Sequence, residues 1–162
     1  MKQVRALALV LVVVALAALA GCDQFENPTS IIGSIDTVSS PVNGGCTWHV
    51  VLYAEGTSMD PSNGDYATAA QVKAVTGQFP TGGAEATFTT TNYEMDEVPS
   101  GTYSLFVWVD TDGNGTFEYY NGDACGFYNG AAVYQDWQPE ANVVVPESGI
   151  VDVDVQVDEH WT

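Results

Sequence analysis

The chain has 162 residues, a formal net charge of −18, and three Lys or Arg against 21 Asp or Glu. Two of the three cations, Lys2 and Arg5, sit in the N-terminal leader, so Lys73 is the one Lys or Arg beyond residue 22. Such acidity repels nucleic-acid phosphates and anionic lipid headgroups, which argues against both as partners, and it invites cations.

Lys2 and Arg5 precede an apolar run from Ala6 to Ala20. The run is shorter than the roughly 20 residues needed to cross a bilayer core, so it predicts a cleaved leader rather than a retained helix. It ends in Leu19-Ala20-Gly21-Cys22, which resembles the lipobox of bacterial lipoproteins at all four positions. The resemblance implies a signal peptide over 1–21, a diacylglyceryl thioether on Cys22, a tether over 22–30 and a domain over 31–158. It also implies a bacterial cell-envelope location, anchored to a membrane and facing the periplasm or exterior. Acyl chains contribute about 0.8 kcal/mol per buried CH₂, so several together hold firmly. An ordinary signal peptide with a stray cysteine is the competing reading. Asp23 resembles the inner-membrane retention signal of enteric lipoproteins.

Beyond the leader the chain is one domain's worth, long enough for a core. Its acidity fits solubility in a saline habitat as readily as a cation-binding role. Cys46 and Cys125 form an even pair in an oxidising compartment, which predicts a disulfide; it would constrain the unfolded state by about 4 kcal/mol. Two buried free thiols are the alternative. There is no Cys-x-x-Cys, and His49 and His160 stand apart from the cysteines, so zinc has little support.

Alternation bounded by Gly, Pro, Asn and Asp predicts strands throughout. Ser30 to Asp36 is the first. After the turn 41–45, Cys46 to Glu55 alternates, with Trp48, Val50, Leu52 and Ala54 on one face. Residues 56–65 are a loop by composition. The Ala-rich run 67–75 fits a short helix or a strand; Val75 and Phe79, with Pro80 just beyond, favour an extended piece. Ala84 to Thr91 is a strand, and a polar link containing Glu94, Asp96 and Glu97 leads to Val98. The turn Pro99-Ser100-Gly101 launches Thr102 to Asp110, where Tyr103, Leu105, Val107 and Val109 share one face and Phe106 and Trp108 the other. A strand apolar on both faces is central, and another part of the same domain is expected to cover Phe106 and Trp108. Asn142 to Val145 precedes a last strand in which Val151, Val153, Val155 and Val157 alternate with Asp152, Asp154, Gln156 and Asp158.

About seven short strands without a crossover helix predict an all-β fold, an antiparallel sandwich. The Ile-x-Gly-x-Ile first strand, the strand ending Leu-Tyr-Ala, Val98-Pro99-Ser100-Gly101-Thr102-Tyr103 and the Asp-rich loop after it together resemble prealbumin-like, carboxypeptidase-regulatory-like modules. That resemblance implies a Greek-key sandwich with a non-catalytic role as spacer, stabiliser or adhesive unit. It supplies no site residues.

Asp110, Asp112 and Asn114, followed by Gly115, present side-chain oxygens at alternate positions as a calcium-binding loop does, with the Thr116 carbonyl and Glu118 further along. Asn121 stands where an EF-hand has its bidentate Glu, and strands flank the loop, so it is not an EF-hand. A strand-flanked Ca²⁺ loop completed by Glu118, Asp123 or water is one reading; a metal-free Asp/Asn/Gly hairpin turn is the other.

Tyr119, Tyr120, Phe127, Tyr128, Tyr134 and Trp137 lie among polar residues after the loop. Tyr119, Tyr120 and Trp137 are candidates for stacking a polysaccharide or contacting an envelope protein; core and edge packing is the blander account. Carboxylate pairs such as Glu94 with Asp96 suggest a hydrolase only weakly in so acidic a chain. No Gly-x-Ser-x-Gly, His-Glu-x-x-His or phosphate-cradling loop is present. Catalysis is not expected.

Overall fold

The computed structural model describes residues 29–38, 41–57, 71–82, 86–118, 122–128 and 142–159. Cys22 and its tether to residue 28, Tyr119, Tyr120, Tyr134, Trp137 and His160 lie outside them. No helix among the described residues is long and apolar enough to cross a membrane.

The described residues are all-β. In chain order the strands are β1 (Thr29–Thr37), β2 (Val42–Asn43), β3 (Thr47–Ala54), β4 (Gln71–Gln78), β5 (Thr87–Phe88), β6 (Thr90–Val98), β7 (Gly101–Asp110), β8 (Ala124–Phe127), β9 (Val143–Val145), β10 (Ile150–Asp152) and β11 (Val155–Glu159). Nine of them form one sheet, and β2 with β5 forms a separate two-stranded ribbon. The large sheet runs β6, β1, then β10 and β11 end to end, β8, β7, β3 and β4, with β9 beside the start of β7. Its two end strands, β4 and β6, come into contact. The sheet therefore curls around a single interior.

The pairing corrects the expectation of a purely antiparallel sandwich. β1 runs parallel to both β10 and β11, with Ser30 opposite Ile150 and Ile35 opposite Val155, while β6, β3, β4, β7, β8 and β9 pair antiparallel. Alternation determines which face of a strand points inward but not the direction of its neighbour. β10 and β11 are one strand broken at Val153 and Asp154. There the Val153 N–H donates to the Ile32 carbonyl at 2.8 Å, and the Tyr93 hydroxyl donates to the Val153 carbonyl at 2.7 Å. A Cβ on Gly33 would lie 1.9 Å from that same Val153 oxygen, so only glycine admits this crossing.

The interior holds Ile31 and Ile35 of β1, Trp48, Val50 and Leu52 of β3, Tyr93 and Met95 of β6, the odd-numbered residues 103–109 of β7, and Val153, Val155 and Val157. The expected inner faces are thus correct, except that Ala54 is exposed. Residues 90–98 are a strand, not a polar link. Tyr93 and Met95 point inward, while Glu94 and Asp96 face solvent, and the density of charge hid the alternation. Similarly, the described part of the expected strand over 84–91 is divided between β5 and the start of β6, while residues 84–85 lie outside the described residues.

A second apolar cluster lies on the opposite face of β3, β7 and β8. Phe106 and Trp108 pack there with Val51, Tyr53, Phe117, Cys125 and Phe127. β7 is accordingly buried on both faces, and residues of the same domain cover it, as expected. Burying a side chain such as Phe106, which has no exposed surface, contributes about 2–3 kcal/mol.

The two faces also correct the disulfide. Cys125 belongs to this outer cluster, opposite Trp108 in the register, whereas Cys46 packs against the inner core. Both are free thiols. The two cysteines therefore belong to clusters on opposite faces of the sheet, an arrangement unsuited to a bridge, which needs Cβ atoms that face each other closely.

Candidate metal centre

Asp110 ends the central strand β7, and the chain turns at once. The Asp110 carboxylate accepts hydrogen bonds from the Gly113 N–H at 2.8 Å through Oδ1 and from the Gly115 N–H at 2.9 Å through Oδ2. Both glycines have positive φ, 77° and 75°, a conformation costly for residues with a Cβ. Two further turns of the same kind follow: the Asn114 N–H donates to Asp112 Oδ1 at 3.0 Å, and the Thr116 N–H to Asn114 Oδ1 at 2.7 Å. Phe117 then drops into the outer cluster, 5.7 Å from Phe106 and 5.6 Å from Trp108 between ring centroids.

Asp123, just before β8, closes the loop. Its Oδ1 accepts from the Thr111 N–H at 2.9 Å and the Thr111 hydroxyl at 3.2 Å, and its Oδ2 accepts from the Glu118 N–H at 2.9 Å. One carboxylate thus ties both arms of the loop.

These bonds gather three carboxylates. Ligand oxygens of Asp110, Asp112 and Asp123 all lie within 4.8 Å of one another. Asp110 and Asp123 are buried, 4% and 2% exposed, and Asp112 is exposed. The group can hold a metal ion. Burial pushes the Asp123 carboxyl up from the usual carboxylate range, the Asp110 charge adds to this, and the bonds from Thr111 and Glu118 oppose it. Two like charges held this close favour a proton or a cation between them.

Of the residues expected to bind metal, Asp110 and Asp112 are brought together, and Asn114 reaches Asp112 through its amide at 2.8 Å. Thr116 is exposed and its N–H serves the turn. The Glu118 carboxylate is not in the three-residue group; Asp123 takes the place that the sequence left open between Glu118, Asp123 and water. The register carries the missing signal. Val109 pairs with Ala124, so Asp123 is the cross-strand neighbour of Asp110.

Neither a protein family, a curated protein nor a solved structure matches this chain.

The remaining candidates that are described have these surroundings. The His49 ring stacks on Trp108 at 3.9 Å, and its Nδ1 lies 3.0 Å from the Thr76 hydroxyl; burial lowers its pKa, with Asp110 opposing. Glu94 and Asp96 share the exposed side of β6, and Asp96 accepts from the Ser30 hydroxyl at 2.6 Å. Phe127 is buried in the outer cluster and Tyr128 packs on the inner core, so both are packing residues.

Proposed function

We propose that the protein is a lipid-anchored envelope protein with a non-catalytic β-domain in a structural or interaction role, stabilised by Ca²⁺ at Asp110, Asp112 and Asp123. The anchor rests on Leu19-Ala20-Gly21-Cys22 after a basic, apolar leader. Mass spectrometry of the mature N-terminal peptide tests it: an acylated Cys22 is expected, and an unmodified chain would refute the anchor. A prealbumin-like relation is proposed for the domain on the Val98-Pro99-Ser100-Gly101-Thr102-Tyr103 motif.

The observation that carries the metal reading is the meeting of three carboxylates, two of them buried, with no Lys or Arg among them. All donors are hard oxygens. Asn114 Oδ1 and water can add to them, and Ca²⁺ accepts such irregular sets of six to eight oxygens more readily than Mg²⁺. The ion would neutralise the loop and fix Phe117 on β7. Calorimetric titration of chelator-treated protein tests this. Heat on adding Ca²⁺ and a raised melting temperature are expected; no heat at millimolar Ca²⁺ with an unchanged melting temperature would refute it.

A further inference from the structure

The ten residues of β7 rise about 3.3 Å each, so the sheet separates two ends by about 30 Å. Asp110 and the Asp-rich loop are at one end. The other is where β7 begins at Gly101. The register gathers there the end of β6 (Val98 opposite Thr29), the end of β9 (Val145 opposite Gly101) and the start of β10 (Ile150 opposite Ser30). The end of β3 (Ala54 opposite Tyr103) and the start of β4 (Gln71 opposite Tyr53) join them. The first residues of β1 are pinned at this end. The Thr29 hydroxyl donates to the Pro146 carbonyl at 2.8 Å, and the Ser30 N–H to the Gly149 carbonyl at 3.0 Å.

Four large apolar side chains are exposed among the described residues: Ile150 at 70%, Val144 at 66%, Val38 at 59% and Val72 at 38%. Val72, Val144 and Ile150 all lie at the Thr29 end. Val72 is next to the first residue of β4, Val144 is opposite Thr102, and Ile150 begins β10. Val143 and Val145 are buried in the interior and Val151 packs against it, so alternation turns Val144 and Ile150 to the outer face. Val38 follows β1 and is at the loop end, where Thr37 pairs with Val157. One exposed valine needs no explanation. A group of them at the point where the chain enters the domain does.

That point of entry is set by the lipidated Cys22 proposed above, on which this inference rests. The seven Cα steps from Cys22 to Thr29 reach at most about 24 Å. The tether therefore keeps the Thr29 end near the bilayer, and what that end exposes decides whether it sits on the surface. Apolar side chains rimmed by polar ones are the pattern of a membrane contact.

Charge selects the lipid. Glu55, Asp96, Glu97 and Glu147 are exposed at this end, against Lys73 alone. They repel an anionic surface, and a second copy of the domain would bring the same carboxylates against themselves. A zwitterionic headgroup layer meets neither obstacle. We infer that Val144 and Ile150, with Val72 beside them, seat the Thr29 end of the domain on a zwitterionic bilayer surface. The metal centre is then held at the end remote from the membrane.

The test uses the mature protein in phosphatidylcholine nanodiscs, with Val and Ile methyls labelled for NMR and acylation of Cys22 checked by mass spectrometry on the same sample. Spectra are compared with and without a lipid carrying a nitroxide on its headgroup. Loss of the Val72, Val144 and Ile150 methyl signals is expected with the nitroxide, and retention of the Val38 signals. Val144→Ser with Ile150→Ser alters exposed side chains only; it should leave the melting temperature unchanged and restore the Val72 signals. Replacing half the lipid by phosphatidylglycerol should restore them in the unsubstituted protein. An unacylated chain would refute the anchor and this inference with it. With Cys22 acylated, the anchor stands and the inference alone is overturned by any of four results: no signal loss at Val144 and Ile150, equal loss at Val38, Val72 signals still lost in the double variant, or stronger loss with phosphatidylglycerol. Loss of the same signals without the nitroxide would mean that a second copy covers the patch, and would overturn it too.

Discussion

Replacing Asp123 by Asn separates the metal centre from the loop geometry around it. The aspartate accepts from Thr111 through one oxygen and from Glu118 through the other; the amide retains one acceptor and loses the second. A hydrogen bond to a charged group contributes about 1.5–3 kcal/mol, but removing the charge also relieves its burial and its repulsion by Asp110. The net cost to the metal-free protein should be about 1 kcal/mol. Ca²⁺ at about 100 times its Kd stabilises the native state by about 2.7 kcal/mol, which for a domain of this size is a rise of roughly 8 °C in Tm. Scanning calorimetry with Ca²⁺ and with chelator should show that rise for the wild type and less than about 2 °C for Asp123→Asn. Glu118→Gln is the control. Its carboxylate lies outside the group of three, so its Ca²⁺ response should match the wild type. Loss of the response in Glu118→Gln with its retention in Asp123→Asn would refute the assignment.

The pH dependence follows from the raised pKa of Asp123. A carboxyl whose folded pKa lies above its unfolded value of 3.8 favours the fold while protonated, and that contribution is lost as pH rises through the folded pKa. The metal-free protein should gain stability at this site on acidification toward the ordinary carboxylate range, while the Ca²⁺-induced rise in Tm should grow as pH rises above that range; a flat or reversed Ca²⁺ response would contradict it. Phe117→Ala removes the ring contacts to Phe106 and Trp108. It should cost roughly 2–4 kcal/mol in urea unfolding and weaken Ca²⁺ binding, whereas unchanged stability would mean that the outer cluster does not depend on the loop. Cys125 is buried, and burial with nearby Asp123 and Asp158 pushes its thiol up to about 12. It should resist alkylation in the native protein, and Tm should not respond to reductant; a linked Cys46–Cys125 peptide in a non-reducing digest would overturn the assignment of free thiols. Gly33→Ala sets a methyl against the Val153 carbonyl and should cost about 3 kcal/mol or more, or abolish folding; a melting temperature within a degree of the wild type would show that the strand crossing can yield.

The parts of the fold that could be read from sequence are those where one residue type repeats in phase. Val153, Val155 and Val157 had to face inward together, and the two-sided apolar run of β7 had to be central. What stayed hidden depended on contacts distant in sequence. Nothing local tells Ile35 that its partner is Val155 running the same way. Cys46 and Cys125 could be counted, but which face each occupies depends on the register of β3 against β7 and of β7 against β8. Tyr93 and Met95 alternated correctly but were masked by Glu94, Asp96 and Glu97, because an acidic outer face looks like a linker until its opposite side is seen.

The loop was legible for a related reason, and the structure adds why it takes this form. A strand buried on both faces needs a second cover, and in this domain part of that cover is the chain leaving its own end. Asp110 ends β7 and starts the turn, Phe117 returns over Phe106 and Trp108, and Asp123 holds both arms before β8 pairs with β7. The carboxylates that shape this cover accept backbone N–H groups and bring like charges within 4.8 Å of one another. A cation bound there would relieve that repulsion. The free energy of binding an ion would then be coupled to how tightly Phe117 is held, so on this proposal the metal centre and the outer apolar cluster should unfold as one unit.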